Sequence, residues 1–542
     1  MLRENRIWMG NNEAGEPVYI VPKMVNRHGL VAGATGTGKT VTLKVMAETL
    51  SDMGVPVFMA DVKGDIAGMM EPGEDNGNMQ ERIRRFGLAE HGFQYQGYPV
   101  SLWDIYGSRG VQLRTTVSEM GPLLLGRILD LNDLQSDILT IVFKIADDQN
   151  LLLIDTKDLK SMLAWVDEHA AEFQTEYGKI SSASIGVITR AVVALESAGG
   201  DRFFGEPALA ITDWMNQENG KGVINILDST SLINNGKLYS TFLLWLLSEL
   251  FETMPEVGDL DQPKMVFIFD EAHLLFNDAP KALLEKIEQV VKLIRSKGVG
   301  VWFCTQNPRD IPDGVLAQLN NRIQHGLRAY TPAEQKSVKA AAESFRENPA
   351  FDTYDTILNL GTGEAVVSFL GEDGIPTVAE KAFILPPRSR MGTISDEQRD
   401  QKVKSGLLYS KYAEAVDPDS AYEVLQRKGV EAQAEAEALA AQEQAAKEAE
   451  KAEKEAAKAA EKEAKEAAKA AEKAEKEAAK AAEKEEKARR QEIKKVGNSV
   501  VGTVGREVGK TVGGKFGKFG KTLGGNLGSQ LGRGILSTLI KK

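Results

Sequence analysis

The run Gly33-Ala34-Thr35-Gly36-Thr37-Gly38-Lys39-Thr40 has the spacing G-x-x-x-x-G-K-T, which suits it to hold a chain of phosphates. Its glycines let backbone N–H groups turn inward around β- and γ-phosphates at a helix N-terminus. Lys39 can neutralise phosphate charge, and the Thr40 hydroxyl can ligate Mg²⁺. The flanks agree with this reading, because the apolar residues Leu30, Val31 and Ala32 enter the loop. Leu43, Met46, Ala47 and Leu50 leave it at i, i+3, i+4 and i+7. Strand, loop and helix follow one another, and the implied cofactors are ATP and Mg²⁺.

A phosphate cradle hydrolyses nothing without groups that act on water. The continuous apolar run Met265-Val266-Phe267-Ile268-Phe269 reads as a strand covered on both faces, and it ends in Asp270-Glu271. With that strand expected beside the phosphate loop, Asp270 can hold Mg²⁺ and Glu271 can orient and deprotonate the attacking water. A further strand, Gly300 to Cys304, delivers Thr305-Gln306-Asn307-Pro308-Arg309. An amide at its tip can sense the γ-phosphate, and Gln306 is chosen for that role. Asp61, ending the strand Val55 to Ala60, is either a third site carboxylate or a solvated loop charge. The letters Asp270-Glu271-Ala272-His273 also spell the box of the DEAH helicases, but the other motifs of those enzymes cannot be placed. His273 is therefore read as a first-turn residue.

The elements that must position these groups imply an α/β fold: a RecA-like P-loop core with a mainly parallel sheet. Residues 1–120 form its first part, opening with short strand-like pieces around the turn Asn11 to Gly15 and leaving no room for a separate N-terminal domain. Residues 121–199 show helical periodicity, as in Ile138, Ile141, Val142 and Ile145, and are expected to be an all-helical insert. Residues 200–390 complete the core, with strands expected at Val223 to Asp228, Ala365 to Leu370 and Thr377 to Ile384. The chain of 542 residues carries a net charge of −12 with pI near 5.3, which argues against a surface that binds nucleic acid everywhere but leaves room for a local basic channel. Its one cysteine, Cys304, excludes an intramolecular disulfide and a cysteine-cluster metal site, and reads as a buried structural thiol. No apolar run reaches spanning length, so a cytoplasmic location is expected.

Together the segments Gly29 to Thr40, Phe267 to Glu271, Ile294-Arg295-Ser296-Lys297-Gly298 and Thr305 to Pro308 resemble the HerA/FtsK class of ring-forming ATPases. The resemblance is nearest to the bacterial HerA-like proteins and covers roughly Arg3 to Arg390. It implies a homo-hexamer that moves double-stranded DNA or protein cargo through a central pore. It also implies an arginine reaching into each site from the next subunit; Arg295 matches that position, with Arg322 and Arg328 as alternatives. The chain departs from archaeal HerA in lacking an N-terminal β-barrel and in carrying the helical insert. An ATP-gated scaffold that holds a protein or membrane partner through its tail is the competing reading.

The carboxyl-terminal third changes character. Residues 391–430 form a polar connector, and 431–495 are nearly all Ala, Glu and Lys, strong helix formers with i,i+4 pairs such as Glu461 with Lys465 and Glu472 with Lys476. Glu-Ala-Ala-Lys-Ala-Ala-Glu-Lys recurs at Glu455, Glu466 and Glu477, an 11-residue period whose coiled coil would wind right-handedly. Its repeating face is alanine, so a solvated single helix of roughly 100 Å is expected, acting as a spacer. Residues 496–542 are glycine-rich and carry eight Lys or Arg against one acid, Glu507. Val504, Val508, Val512, Phe516, Phe519, Leu523, Leu527 and Leu531 each precede a glycine there. That tail is expected to become helical only against another tail, a protein groove or an anionic membrane surface.

Overall fold

The computed structural model describes residues 1–277 and 279–492, so the expectations for 493–542 lie outside the described residues. Two compact units are distinguished, Met1–Ala434 and the remainder from Glu435.

The first unit is built on one sheet. Among the described residues its strands are β1 (Leu2–Arg3), β2 (Arg6–Asn12), β3 (Pro17–Ile20), β4 (Gly29–Ala32), β5 (Val57–Asp61), β6 (Val100–Asp104) and β7 (Val111–Gln112). The strands β8 (Gln217–Glu218) and β9 (Lys221–Gly222) form a small separate hairpin. Then come β10 (Ile224–Asp228), β11 (Met265–Phe269), β12 (Val299–Thr305), β13 (Asn321–His325), β14 (Glu364–Ser368) and β15 (Glu380–Ile384). The order is β1-β2-β15-β14-β13-β4-β12-β11-β5-β10-β6-β7, with β3 paired to β2. From β13 to β7 all neighbours are parallel; β14, β15 and β2 add an antiparallel flank.

The parallel strands read as unbroken apolar runs because helices cover both faces. Successive residues serve opposite faces. Phe58, Ala60, Phe267, Phe269, Val301 and Phe303 join one apolar cluster, whereas Val57, Met59, Val266, Ile268, Trp302 and Cys304 join the other. The helix Lys39–Asp52 packs on the second face. The helices Val117–Ile128, Asp133–Asp148, Thr156–Glu168, Ser182–Leu195, Gly236–Thr253 and Lys281–Leu293 bury their stripes in the first. The helical stretch therefore shares its core with the sheet. Its apolar residues Ile138, Val142, Leu159, Met162 and Leu163 are buried in the same cluster as Phe267.

The N-terminal hairpin of β2 and β3 extends the sheet, because β2 pairs with β15 through Ile384↔Gly10 and Ala382↔Asn12. Residues 391–430, a connector by composition, include the helices Asp396–Ser405 and Tyr409–Tyr412. They also bury Tyr412, Ala421 and Leu425 in the first cluster. The helix Ala421–Glu492 follows, and within it Lys465 pairs with Glu461 at 2.5 Å and Lys476 with Glu472 at 2.6 Å, the expected i,i+4 contacts. Among the described residues no single helix is long and apolar enough to cross a membrane.

Candidate functional site

Parallel strands end on one edge of a sheet, and here those ends gather the chemistry. The phosphate loop leaves β4 and enters the helix at Lys39. It is clamped from two sides. A Cβ on Gly33 would stand 2.5 Å from that of His325, and one on Gly38, whose φ is +115°, would stand 3.2 Å from the Gly363 nitrogen. The Gly363 N–H in turn donates to the Thr37 carbonyl at 2.9 Å. Lys39 is buried, with Nζ donating to the carbonyls of Gly33 (2.6 Å) and Ala34 (3.1 Å), so its ammonium lies over the loop.

The Asp-Glu strand is not the immediate neighbour of the phosphate-loop strand. β12, the strand carrying Gln306 at its tip, runs between β4 and β11, pairing Thr305 with Ala32 and Phe303 with Phe269. That insertion places Gln306 between the loop and the acid. Its Nε2 donates to the Glu271 carboxylate at 3.3 and 3.4 Å, and its Oε1 accepts from the Thr35 hydroxyl at 3.4 Å.

Asp270 is buried, and burial raises its pKa. Its Oδ1 accepts from the Glu271 N–H at 2.9 Å, while Oδ2 has no hydrogen-bond partner. A buried carboxylate oxygen left free suits a hard divalent cation, so Asp270 fits Mg²⁺; Thr40 stands beside Lys39 in the first turn of the helix. The Cys304 thiol lies against Asp270, and burial together with that carboxylate pushes its pKa well up; it is a structural thiol.

Glu271 has φ +46°, a strained value for a non-glycine residue and one that clusters at functional sites. Burial alone would raise its pKa, but the Lys63 ammonium at 2.5 Å, with help from Gln306 and Lys39, brings it below the ordinary value. The His273 Nδ1 lies 3.2 Å from its other oxygen without making a hydrogen bond. Asp61 organises the loop that carries Lys63, accepting from Gly64 N–H at 2.7 Å and Ile66 N–H at 3.1 Å; burial pushes its pKa up to about 6. It is neither a solvated charge nor free for a ligand.

Arg295 is not brought to its own chain's site. It occupies the turn Ile294–Lys297 ahead of the amino end of β12, a strand of seven residues and therefore roughly 23 Å long, and it pairs with Asp259 at 3.2 Å. Arg322 is half-buried and bonded to the carbonyls of Leu319 and Leu316, capping the helix Asp313–Leu316. Arg328 is exposed, with Nη1 on the Leu358 carbonyl at 2.9 Å.

Sequence reasoning missed two site residues. Lys63 was the single cation in the loop after β5, a weak signal. His325, at the end of β13, receives the Thr42 hydroxyl at 2.8 Å through Nε2, and its Nδ1 donates to the Glu364 carbonyl at 2.8 Å. Burial lowers its pKa to about 4, so it supports the loop as a neutral ring. Its close approach to Gly33, from a strand far along the chain, reveals it.

Residues 6–521 match the family described as helicase HerA-like C-terminal. Among curated relatives, a probable helicase of Methanocaldococcus jannaschii is 30% identical over 146 residues, 26% of each chain. The DNA double-strand break repair helicase HerA of Sulfurisphaera tokodaii is 22% identical over 363 residues, which is 65% of this chain and 64% of that one. The chain thus spans about a quarter and just under two thirds of these relatives. Among solved structures, plasmid coupling protein TrwB with a non-hydrolysable ATP analogue matches 73% of this chain and 93% of its own at 17% identity and TM-score 0.49. VirB4 of Thermoanaerobacter pseudethanolicus matches 70% and 96% at 16% identity and TM-score 0.45.

Proposed function

Since the chain belongs to the helicase HerA-like C-terminal family, we propose that it is an ATP-hydrolysing motor that assembles as a homo-hexamer in the cytoplasm and moves double-stranded DNA. The observation that carries the chemical part is the bonded series Thr35, Gln306, Glu271, which ties the phosphate loop to the acid through the strand between them. In this reading the N–H groups of Gly33 to Thr40 receive the phosphates of ATP and Lys39 turns its ammonium from the loop carbonyls to them. Thr40 and Asp270 would hold Mg²⁺, which when bound would screen the phosphate charge and polarise the γ-phosphate. Glu271 orients the water and takes its proton; Gln306, in contact with both loop and base, senses whether the γ-phosphate is present.

Arg295 acts in a neighbouring subunit's site. Its place at the amino end of β12, with its guanidinium on the exposed Asp259, supports that reading over action in its own site. Arg322 is spent on a helix cap and Arg328 on a loop carbonyl, so they rank below it. The long helix favours a second reading, an ATP-gated scaffold that holds a protein or membrane partner through the tail. ATP turnover measured with and without double-stranded DNA separates the two: a motor is stimulated, and a rate indifferent to DNA would remove the motor reading.

A further inference from the structure

We propose that Lys63 is a positioning residue that restrains Glu271, and that displacement of the loop carrying Lys63 releases the base and sets the rate of hydrolysis. The proposal rests on the ATPase reading above and concerns how that site is regulated.

Three side chains surround the Glu271 carboxylate. Gln306 is a neutral amide at 3.3 to 3.4 Å, and His273 stands at 3.2 Å without a hydrogen bond. Lys63, at 2.5 Å, is a full cation in direct contact. A charge-assisted bond of that kind is about twice as strong as a neutral one. It is made to a carboxylate only 4% exposed, where water competes poorly. The cation holds Oε1 and stabilises the anionic carboxylate as a whole, so Glu271 is a weaker proton acceptor while Lys63 stays and a stronger one once it withdraws. Lys63 is able to withdraw: its side chain is 40% exposed and lies on a loop, not on a strand.

The loop has the connections needed to be moved from elsewhere. Its turn is closed by Asp61, whose carbonyl accepts from the Ser229 N–H at 2.9 Å, and a Cβ on Gly64 would stand 3.3 Å from the Thr230 methyl, so the loop leans on the end of β10. Asp228, at that same end, is bonded to Arg109 at 2.7 Å and to Arg399 at 3.3 Å. Arg399 belongs to the helix Asp396–Ser405, and downstream of the loop the Gly68 N–H donates to the Gly392 carbonyl at 3.2 Å. Segments on both sides of the Lys63 loop are therefore fastened to the stretch 392–399. A force on that stretch reaches the lysine through hydrogen bonds and ion pairs, without passing through the phosphate loop.

The test uses the full chain as wild type, Lys63→Met, Lys63→Gln, Lys63→Arg and Lys63→Met combined with Glu271→Gln. ATP turnover is measured beside the affinity for a fluorescent methylanthraniloyl-ATP. A positioned base contributes about 10²–10⁴-fold, so removing a restraint on it leaves room for a rise in kcat of roughly tenfold. That rise is expected in both Lys63→Met and Lys63→Gln with KM and nucleotide affinity unchanged. Lys63→Arg should keep the wild-type rate, and the double variant should fall to the rate of Glu271→Gln. A kcat at or below wild type in the Met and Gln variants, a rise in the Arg variant, or activity surviving in the double variant would each overturn the proposal. If neither wild type nor Lys63→Met turns over ATP that both bind, the ATPase reading fails; turnover by wild type that Lys63→Met does not exceed sinks the restraint alone.

Discussion

His325 offers a prediction whose size follows from burial alone. Its ring is fully buried between the Thr42 hydroxyl and the Glu364 carbonyl, and its pKa lies at about 4 against an ordinary value of 6.5. Between those values the unfolded chain binds a proton that the folded chain refuses, so stability falls as pH falls through this window. Integrating that difference, one such histidine costs about 0.8 kcal/mol between pH 7.5 and 6 and about 2 kcal/mol by pH 5. His28, buried with a pKa of about 4, adds a similar amount. Asp61, raised to about 6, works in the opposite sense, because its folded carboxyl holds a proton that the unfolded one has lost. Its contribution cancels when two proteins that both carry it are compared. His325→Gln retains an amide able to meet Thr42 or Glu364 but cannot titrate. Urea midpoints followed by tryptophan fluorescence at pH 7.5, 6 and 5 should therefore show the wild type losing about 2 kcal/mol more than the variant over the full range. Equal losses in the two proteins would refute the buried neutral ring and with it the account of how the phosphate loop is supported.

Further outcomes follow from the same site. Lys39→Ala should abolish tight ATP binding, whereas Glu271→Gln should bind ATP and fail to turn it over, with kcat lower by about 10²–10⁴-fold; a wild-type rate there would remove Glu271 as the base. Arg295→Ala should lower turnover while leaving nucleotide affinity nearly unchanged, and mixing it with Lys39→Ala subunits should recover activity if the arginine acts on a neighbour; mixtures that stay silent count against action in trans. Glu48→Ala should cost about 3 kcal/mol of stability, read as a lowered thermal midpoint, because it strips the partner from several buried donors; a shift of less than a degree would contradict the bonding described below.

Contacts made within one segment were legible in the chain. The phosphate loop needs only its own spacing, and the strand Met265–Phe269 announces itself by being apolar throughout. Asp270 and Glu271 follow from where that strand stops. Residues whose partner lies far along the chain were not legible. Ala32, Thr305, His325 and Phe269 end four strands, but nothing local says that β12 runs between β4 and β11. Gln306 was chosen as a sensor, and its contact with both Thr35 and Glu271 depends on that order. Lys63 looks like an ordinary loop lysine until β5 is placed beside β11, and His325 like an ordinary buried histidine until β13 is placed beside β4. The pair Pro386-Pro387 reads locally as a break, yet just beyond it Ser389 is bonded to Glu48, 341 residues away.

That last contact bears on how the nucleotide site is tied to the rest of the chain. On the helix that begins at Lys39, Lys44, Glu48 and Asp52 recur every four residues and so share a face. Lys44 donates to the Arg390 carbonyl. Glu48 accepts from Arg388 N–H at 2.8 Å, from Ser389 N–H at 3.0 Å and from the Ser389 hydroxyl at 2.5 Å. Asp52 pairs with Arg388 at 2.8 Å. Lys44 and Glu48 are almost wholly buried, and burial lowers the pKa of the one to about 8 and raises that of the other. Buried charges of this kind add little net stability over an apolar surface of the same shape, but they fix which residues of the segment meet the helix. An apolar face would let residues 386–394 slide; this one holds three consecutive residues by named atoms. The helix that begins at Lys39 is thereby fixed to the segment leading to Arg399. A change in that helix and a change in the Lys63 loop would arrive at the same stretch of chain.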